Sequence, residues 1–197
     1  MKRLLTLSAL LLAACSQADA PTAKVEAPDA ATQEFATDLR RTSLIVSDID
    51  ESLKLYRDVL GFEVNYDAEV TMSGVALPAG EPGAKARLVL MGTNDSWVGW
   101  IGLLQWLDPE IDAPAAPRTR MGIGDAILVF NTELVDEHCD AAAELPGINM
   151  TAPASETTYP ARAGGKPIVV RTCYLFDRDG YFIELNKVLD RVNYNKG

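Results

Sequence analysis

One order of elements occurs twice along this chain, and that repetition limits the folds open to it more than any other feature. Thr42 to Val46 is a β-rich run, and Asp48 follows with Glu51 three residues on, the spacing of a capping box. Ile49, Leu53, Tyr56 and Leu60 then recur at helical spacing, and Gly61 stands where a helix-ending glycine belongs. Three strand-like runs follow, Phe62 to Val70, Ala86 to Met91 and Val98 to Trp106, punctuated by Gly and Pro clusters. After a proline-rich linker, Leu107 to Gly124, the order returns. Asp125 to Asn131 is a strand, and Leu134, His138, Ala141 and Leu145 are helically spaced. Met150 opens a weak strand and a loop up to Pro167, while Ile168 to Phe176 and Tyr181 to Lys187 flank an Asp177-Arg178-Asp179-Gly180 turn. Two β-α-β-β-β modules, about 38–107 and 122–190, predict a pseudo-twofold α+β domain over 38–190. Each sheet then carries a helix on its convex side and a cavity on its concave side.

Alternation assigns the faces. In the last strand Ile183 and Leu185 share the core side, leaving Phe182, Glu184 and Asn186 for the cavity. In the first strand Leu44 and Val46 take the core, leaving Arg41, Ser43 and Ile45 for the cavity. Trp100, Leu104 and Trp106 share parity with Gly102 and would wall the cavity, with room left by the glycine. Arg171 is an expected anion anchor facing the same space, and Tyr159 lies in the loop over its mouth.

The ends of the chain carry a different message. Met1-Lys2-Arg3, an apolar stretch from Leu4 to Ala14, and Leu12-Ala13-Ala14-Cys15 have the layout of a secretory signal, too short to span a bilayer. Small residues before Cys15 resemble the bacterial lipobox, which implies a signal peptide over 1–14 and lipidation of Cys15. Ser16 after the cysteine resembles lipoproteins sent on to the outer membrane. The expected location is the periplasmic side of the bacterial envelope. Residues 15–37 are poor in large apolar side chains and read as a flexible tether, and 191–197 as a tail. The net charge of −10 argues against nucleic acid, and no basic cluster offers membrane contact beyond the lipid anchor. Cys139 and Cys173 could pair in an oxidising compartment or sit as two separate buried residues; the separate arrangement is the expectation.

Leu55-Tyr56-Arg57-Asp58-Val59-Leu60-Gly61-Phe62, behind Leu44-Ile45-Val46-Ser47-Asp48, resembles the first module of the vicinal oxygen chelate superfamily. That superfamily includes glyoxalase I, bleomycin- and fosfomycin-resistance proteins and extradiol dioxygenases. Phe176-Asp177-Arg178-Asp179-Gly180-Tyr181-Phe182-Ile183-Glu184-Leu185 resembles its closing motif. The resemblance implies a divalent metal held by His, Gln or Glu from the first and last strands of each module. Carried over residue by residue, the first-strand ligand position is Arg41 and the fourth-strand position is Gly102. The second module offers Asp125, with Ala126 as the neighbouring alternative, and only Glu184 matches the family.

Arginine has no lone pair for a metal and glycine has no side chain. Two carboxylates, Asp125 and Glu184, would hold at most a hard divalent ion weakly. The single His138 sits on the predicted second helix, away from the cavity, which disfavours dioxygenase chemistry. Two alternatives stand for Arg41. Its guanidinium replaces the metal and pairs with Glu184 and Asp125, or it points to solvent. The preferred expectation is a domain that binds a small organic molecule without metal, with relatives suggesting a homodimer. The alternatives are a divalent-metal-dependent lyase or isomerase using Glu184 and Asp125, with Glu184 as the catalytic candidate, and a non-catalytic envelope interaction domain.

Overall fold

The computed structural model describes residues 37–73, 82–113, 117–160 and 166–189. Cys15, the signal, most of the tether and the tail lie outside the described residues. The first module runs β1 (Arg41–Ile45), α1 (Ile49–Leu53), a π-helical segment (Lys54–Val59), β2 (Glu63–Thr71), β3 (Lys85–Gly92) and β4 (Trp100–Asp108). The second runs β5 (Ile127–Asn131), α2 (Val135–Ala143), β6 (Asn149–Tyr159), β7 (Ile168–Phe176) and β8 (Phe182–Val188). Each module folds its own four-stranded sheet, β1-β4-β3-β2 and β5-β8-β7-β6. In both, the first strand pairs parallel with the last, and the remaining pairs are antiparallel.

Local chemistry explains most boundaries. Asp48 caps α1 by accepting the Glu51 N–H at 3.1 Å. The predicted single helix instead widens after Leu53, where the Leu60 N–H reaches back to the Leu55 carbonyl and the Phe62 N–H to that of Tyr56. Gly61 ends it at φ 75°, a conformation that costs other residues strain. β5 starts at Ile127 rather than Asp125, because Asp125 is drawn into a turn where its carboxylate accepts the Gly122 N–H at 2.6 Å. The stretch after Met150 is a strand of 11 residues, not mostly loop. Pro153 is tolerated there because β6 is the sheet edge and its register slips around Ala152.

The helical sides of both sheets merge into one core. It takes Leu44, Val46, Ile49, Tyr56 and Met91 from the first module and Leu128, Leu175, Ile183 and Leu185 from the second. Each such side chain contributes about 1.5–3 kcal/mol by leaving water. Cys139 of α2 and Cys173 of β7 form a disulfide with Cα atoms 6.4 Å apart, which corrects the expectation of separate thiols. Sequence spacing of 34 gave no hint that a helix face and a strand face would meet at that distance.

Candidate functional site

Strand pairing fixes what shares the helix-free face of the second sheet. Glu184 lies beside Val129 of β5 and Tyr174 of β7. Its Oε1 accepts from Asn186 Nδ2 at 3.0 Å, and Asn131 Nδ2 donates in turn to Asn186 Oδ1 at 3.2 Å. Tyr174 stacks on Phe182 at 6.0 Å, and Phe176 meets Phe182 edge-on at 5.0 Å. Burial, followed by a hydrogen bond with Tyr159, pushes the Tyr174 hydroxyl above its ordinary pKa. Glu184 forms no ion pair among the described residues. A half-buried carboxylate therefore sits on an aromatic wall, steadied by two amides.

The first sheet differs. Trp100, Gly102, Leu104 and Trp106 do share a face with Arg41, Ser43 and Ile45. Leu104 and Trp106, however, are buried in a small cluster with Ala84 and Ala86. The expected room beside Gly102 is taken: a Cβ there would meet Ser43 Oγ at 2.7 Å, Leu90 Cδ2 at 3.3 Å and Arg41 Cδ at 3.4 Å. Trp100 Nε1 donates to the Asp95 carbonyl at 3.1 Å, and Arg40 lies 4.1 Å over the Trp97 ring.

Two sequence expectations are corrected, and one of the two alternatives for Arg41 drops out. Arg41 and Glu184 form no ion pair with each other; Arg41 is exposed, with its stem beside Gly102. Asp125 pairs with Arg118, whose Nη1 lies 2.9 Å from Oδ1, and this pairing holds the carboxylate below its ordinary pKa. Arg171 faces the helical side, as does Cys173 two residues on, and its Nε donates to Asp136 of α2 at 3.1 Å. Alternation along β7 carried the correct signal for Arg171, but only once Cys173 is known to meet the helix. Of the family's four ligand positions, Glu184 alone keeps an uncommitted carboxylate. Arg41 and Gly102 bring no donor and Asp125 is engaged by a guanidinium, so this donor set does not fit the family's metal. Among the described residues, no group of three or more His, Cys, Asp or Glu side chains converges as a metal site.

The junctions between modules were not foreseen from sequence. At one, the β7–β8 turn reaches into the first module. Tyr56 donates to Asp177 Oδ2 at 2.8 Å inside the core, and Asp177 Oδ1 accepts the Asp179 and Tyr181 N–H groups. The Tyr181 hydroxyl accepts the Ile45 N–H and donates to the Ile45 carbonyl, both at 2.9 Å. Asp179 accepts the Ser47 N–H at 2.9 Å. Burial raises both Tyr56 and Asp177 above their ordinary pKa values. At the other junction a cleft of about 860 Å³ separates the β3–β4 hairpin from the end of β5 and the start of α2. His138 lines it, with Nδ1 at 3.1 Å from Thr132 Oγ1 and its pKa lowered by burial.

Comparison with known proteins agrees with this topology. The family model described as Glyoxalase/Bleomycin resistance protein/Dioxygenase superfamily matches residues 38–185, and the chain belongs to that superfamily. A glyoxalase-family protein from Bacillus cereus has the same fold, at TM-score 0.59 and 19% identity, covering 82% of this chain and 99% of that one. The trypanothione-dependent glyoxalase I of Leishmania major gives TM-score 0.48 at 18% identity, over 82% of this chain and 92% of that one. The fosfomycin resistance protein FosX of Listeria monocytogenes, solved with Mn(II) and sulfate ion, gives 0.44 at 17%, over 83% and 100%. No curated protein matches the sequence.

Proposed function

We propose that this chain is an exported, lipid-anchored member of the superfamily that binds a small organic molecule at the Glu184 face, without a divalent metal. The observation that carries the ligand site is Glu184 itself: half-buried, bonded to Asn186 and walled by Tyr174 and Phe182, with no cation paired to it among the described residues. Aromatic walls with one oriented polar group are the usual make-up of small-molecule sites. The disulfide between Cys139 and Cys173 supports export, since such bonds persist in oxidising compartments. That fits the lipobox-like Leu12-Ala13-Ala14-Cys15 and a periplasmic address at the outer membrane.

Metal analysis, with thermal shifts across divalent ions and small aromatic or dicarbonyl compounds, tests the ligand site. Ion-independent shifts that Glu184→Gln abolishes are expected. A stoichiometric divalent ion lost in Glu184→Gln would replace this proposal with a metal-dependent lyase or isomerase using Glu184 and Asp125. No response to any compound would leave a non-catalytic envelope interaction domain. Labelled palmitate incorporated by cells into the wild type, but not into Cys15→Ala, checks the anchor. Mass and cross-linking in solution decide between a single copy and a homodimer.

A further inference from the structure

We propose that the cleft at the open junction is a second ligand site, which takes an uncharged small molecule carrying a phenol. The two junctions are built on equivalent strand ends. Ile45 ends β1 in register with Leu104, and the Val46 N–H bonds the Leu104 carbonyl; Asn131 ends β5 in register with Asn186, and the Thr132 N–H bonds the Asn186 carbonyl. At the first end a phenol is already in place, that of Tyr181, delivered by the β7–β8 turn. At the second, the facing hairpin brings Gly92, Thr93, Asn94 and Gly99 to the cleft, none of them aromatic, while its Trp97 lies under Arg40. The space a ring occupies on one side is thus a cleft of about 860 Å³ on the other, within the range of sites for drug-sized molecules.

The lining selects the ligand. Leu60, Phe62, Phe130 and Leu134 supply apolar surface, and Val129 and Leu134 are left 55% and 50% exposed, a cost that a bound ring would remove. Thr132 and His138 line the cleft too, with Thr132 Oγ1 engaged by His138 Nδ1 and by the Leu134 N–H, so the imidazole's other nitrogen, Nε2, is the polar partner on offer. Among the described residues Glu63 and Glu133 line the cleft and no Lys or Arg does, so an anion meets repulsion there. Lys187 lies 3.1 Å from Glu133 and moderates that carboxylate, which leaves a neutral molecule as the best match.

Amide NMR of the ¹⁵N-labelled chain, titrated with p-cresol, p-toluate and toluene, tests this. The expected result is a saturable p-cresol response at Thr93, Gly99, Thr132, Leu134 and His138, a weaker one to toluene, and none to p-toluate. Leu134→Asp, at an exposed position that leaves the β7–β8 amides unmoved, weakens p-cresol by about tenfold or more, and Leu134→Ala by less. Glu184→Gln leaves it unchanged, so loss of the Glu184 site and loss of this one are told apart. Shifts confined to Tyr174, Phe182 and Glu184 place the phenol at the Glu184 face and overturn the proposal. So does an equal response to p-toluate, or no response at all.

Discussion

The two junctions between the modules start from equivalent strand ends, but only one of them is bridged by a hydrogen-bonded turn. At the first, a turn of the second module inserts Asp177, Asp179 and Tyr181 into the first and satisfies Tyr56, Ser47 and Ile45. At the second, a cleft remains, and the helix that walls it, α2, is fastened to its own sheet by the Cys139–Cys173 disulfide. Hydrogen bonds hold one side because hairpin side chains reach the neighbouring backbone. A covalent bond steadies the other, where α2 keeps one end against open space. A duplicated fold thus leaves a cleft at one junction and a hydrogen-bonded turn at the other, while the shared core joins the modules.

The largest effect that would break this contrast comes from the disulfide. Cys139→Ala with Cys173→Ala is expected to lower unfolding free energy by about 3–4 kcal/mol, read by denaturant titration, with hydrogen exchange rising first along α2. If exchange rises first at Tyr56 instead, the disulfide supports the closed junction and the contrast fails. Tyr56→Phe should cost about 2 kcal/mol by leaving the buried Asp177 carboxylate short of a donor.

That cost carries a pH signature. Burial holds the folded pKa of Asp177 above its ordinary value, so stability falls as pH rises from the ordinary carboxylate range through the raised value. The Tyr56 bond opposes that fall by favouring the ionised form. The penalty of Tyr56→Phe is therefore larger at pH 7 than at pH 3, and a penalty that does not change with pH would refute the assignment. Tyr181→Phe removes both bonds to Ile45 and is expected to cost about 1 kcal/mol, with faster exchange of the Ile45 amide.

Smaller effects sharpen the picture. Gly102→Ala forces Ser43 Oγ aside and should cost about 1 kcal/mol, recovered in part by Ser43→Ala in the same chain. No recovery at all in the double variant would show that Leu90 and the stem of Arg41, not Ser43, fill the notch. At the open junction, burial lowers the His138 pKa, so the folded chain sheds that proton more readily than the unfolded one. Stability then declines as pH falls through the ordinary imidazole range, and His138→Gln flattens that decline.

Much of this fold was legible beforehand because it rests on short-range rules. Asp48 with Glu51, Gly61, and the Asp177-to-Gly180 turn each solve a local backbone problem with a side chain or a positive φ, and all hold in the structure. Alternation likewise placed Leu44, Ile183 and Leu185 in the core. Arg171 failed because parity gives two faces without saying which one meets the helix. Asp125 failed because a linker residue distant from the strand pattern, Arg118, claims it.

Periodicity, capping and turn chemistry act over a few residues, so the chain itself determined the two modules, their order and their buried faces. Which side chains meet across modules depends on how two sheets dock, and contacts such as Tyr56 with Asp177 span a sequence separation of 121. No local spacing encodes such a meeting. Only the assembled structure decided that Cys139 reaches Cys173, that Ser43 and the stem of Arg41 fill the gap beside Gly102, and that a turn bridges one junction while a wider cleft lies at the other.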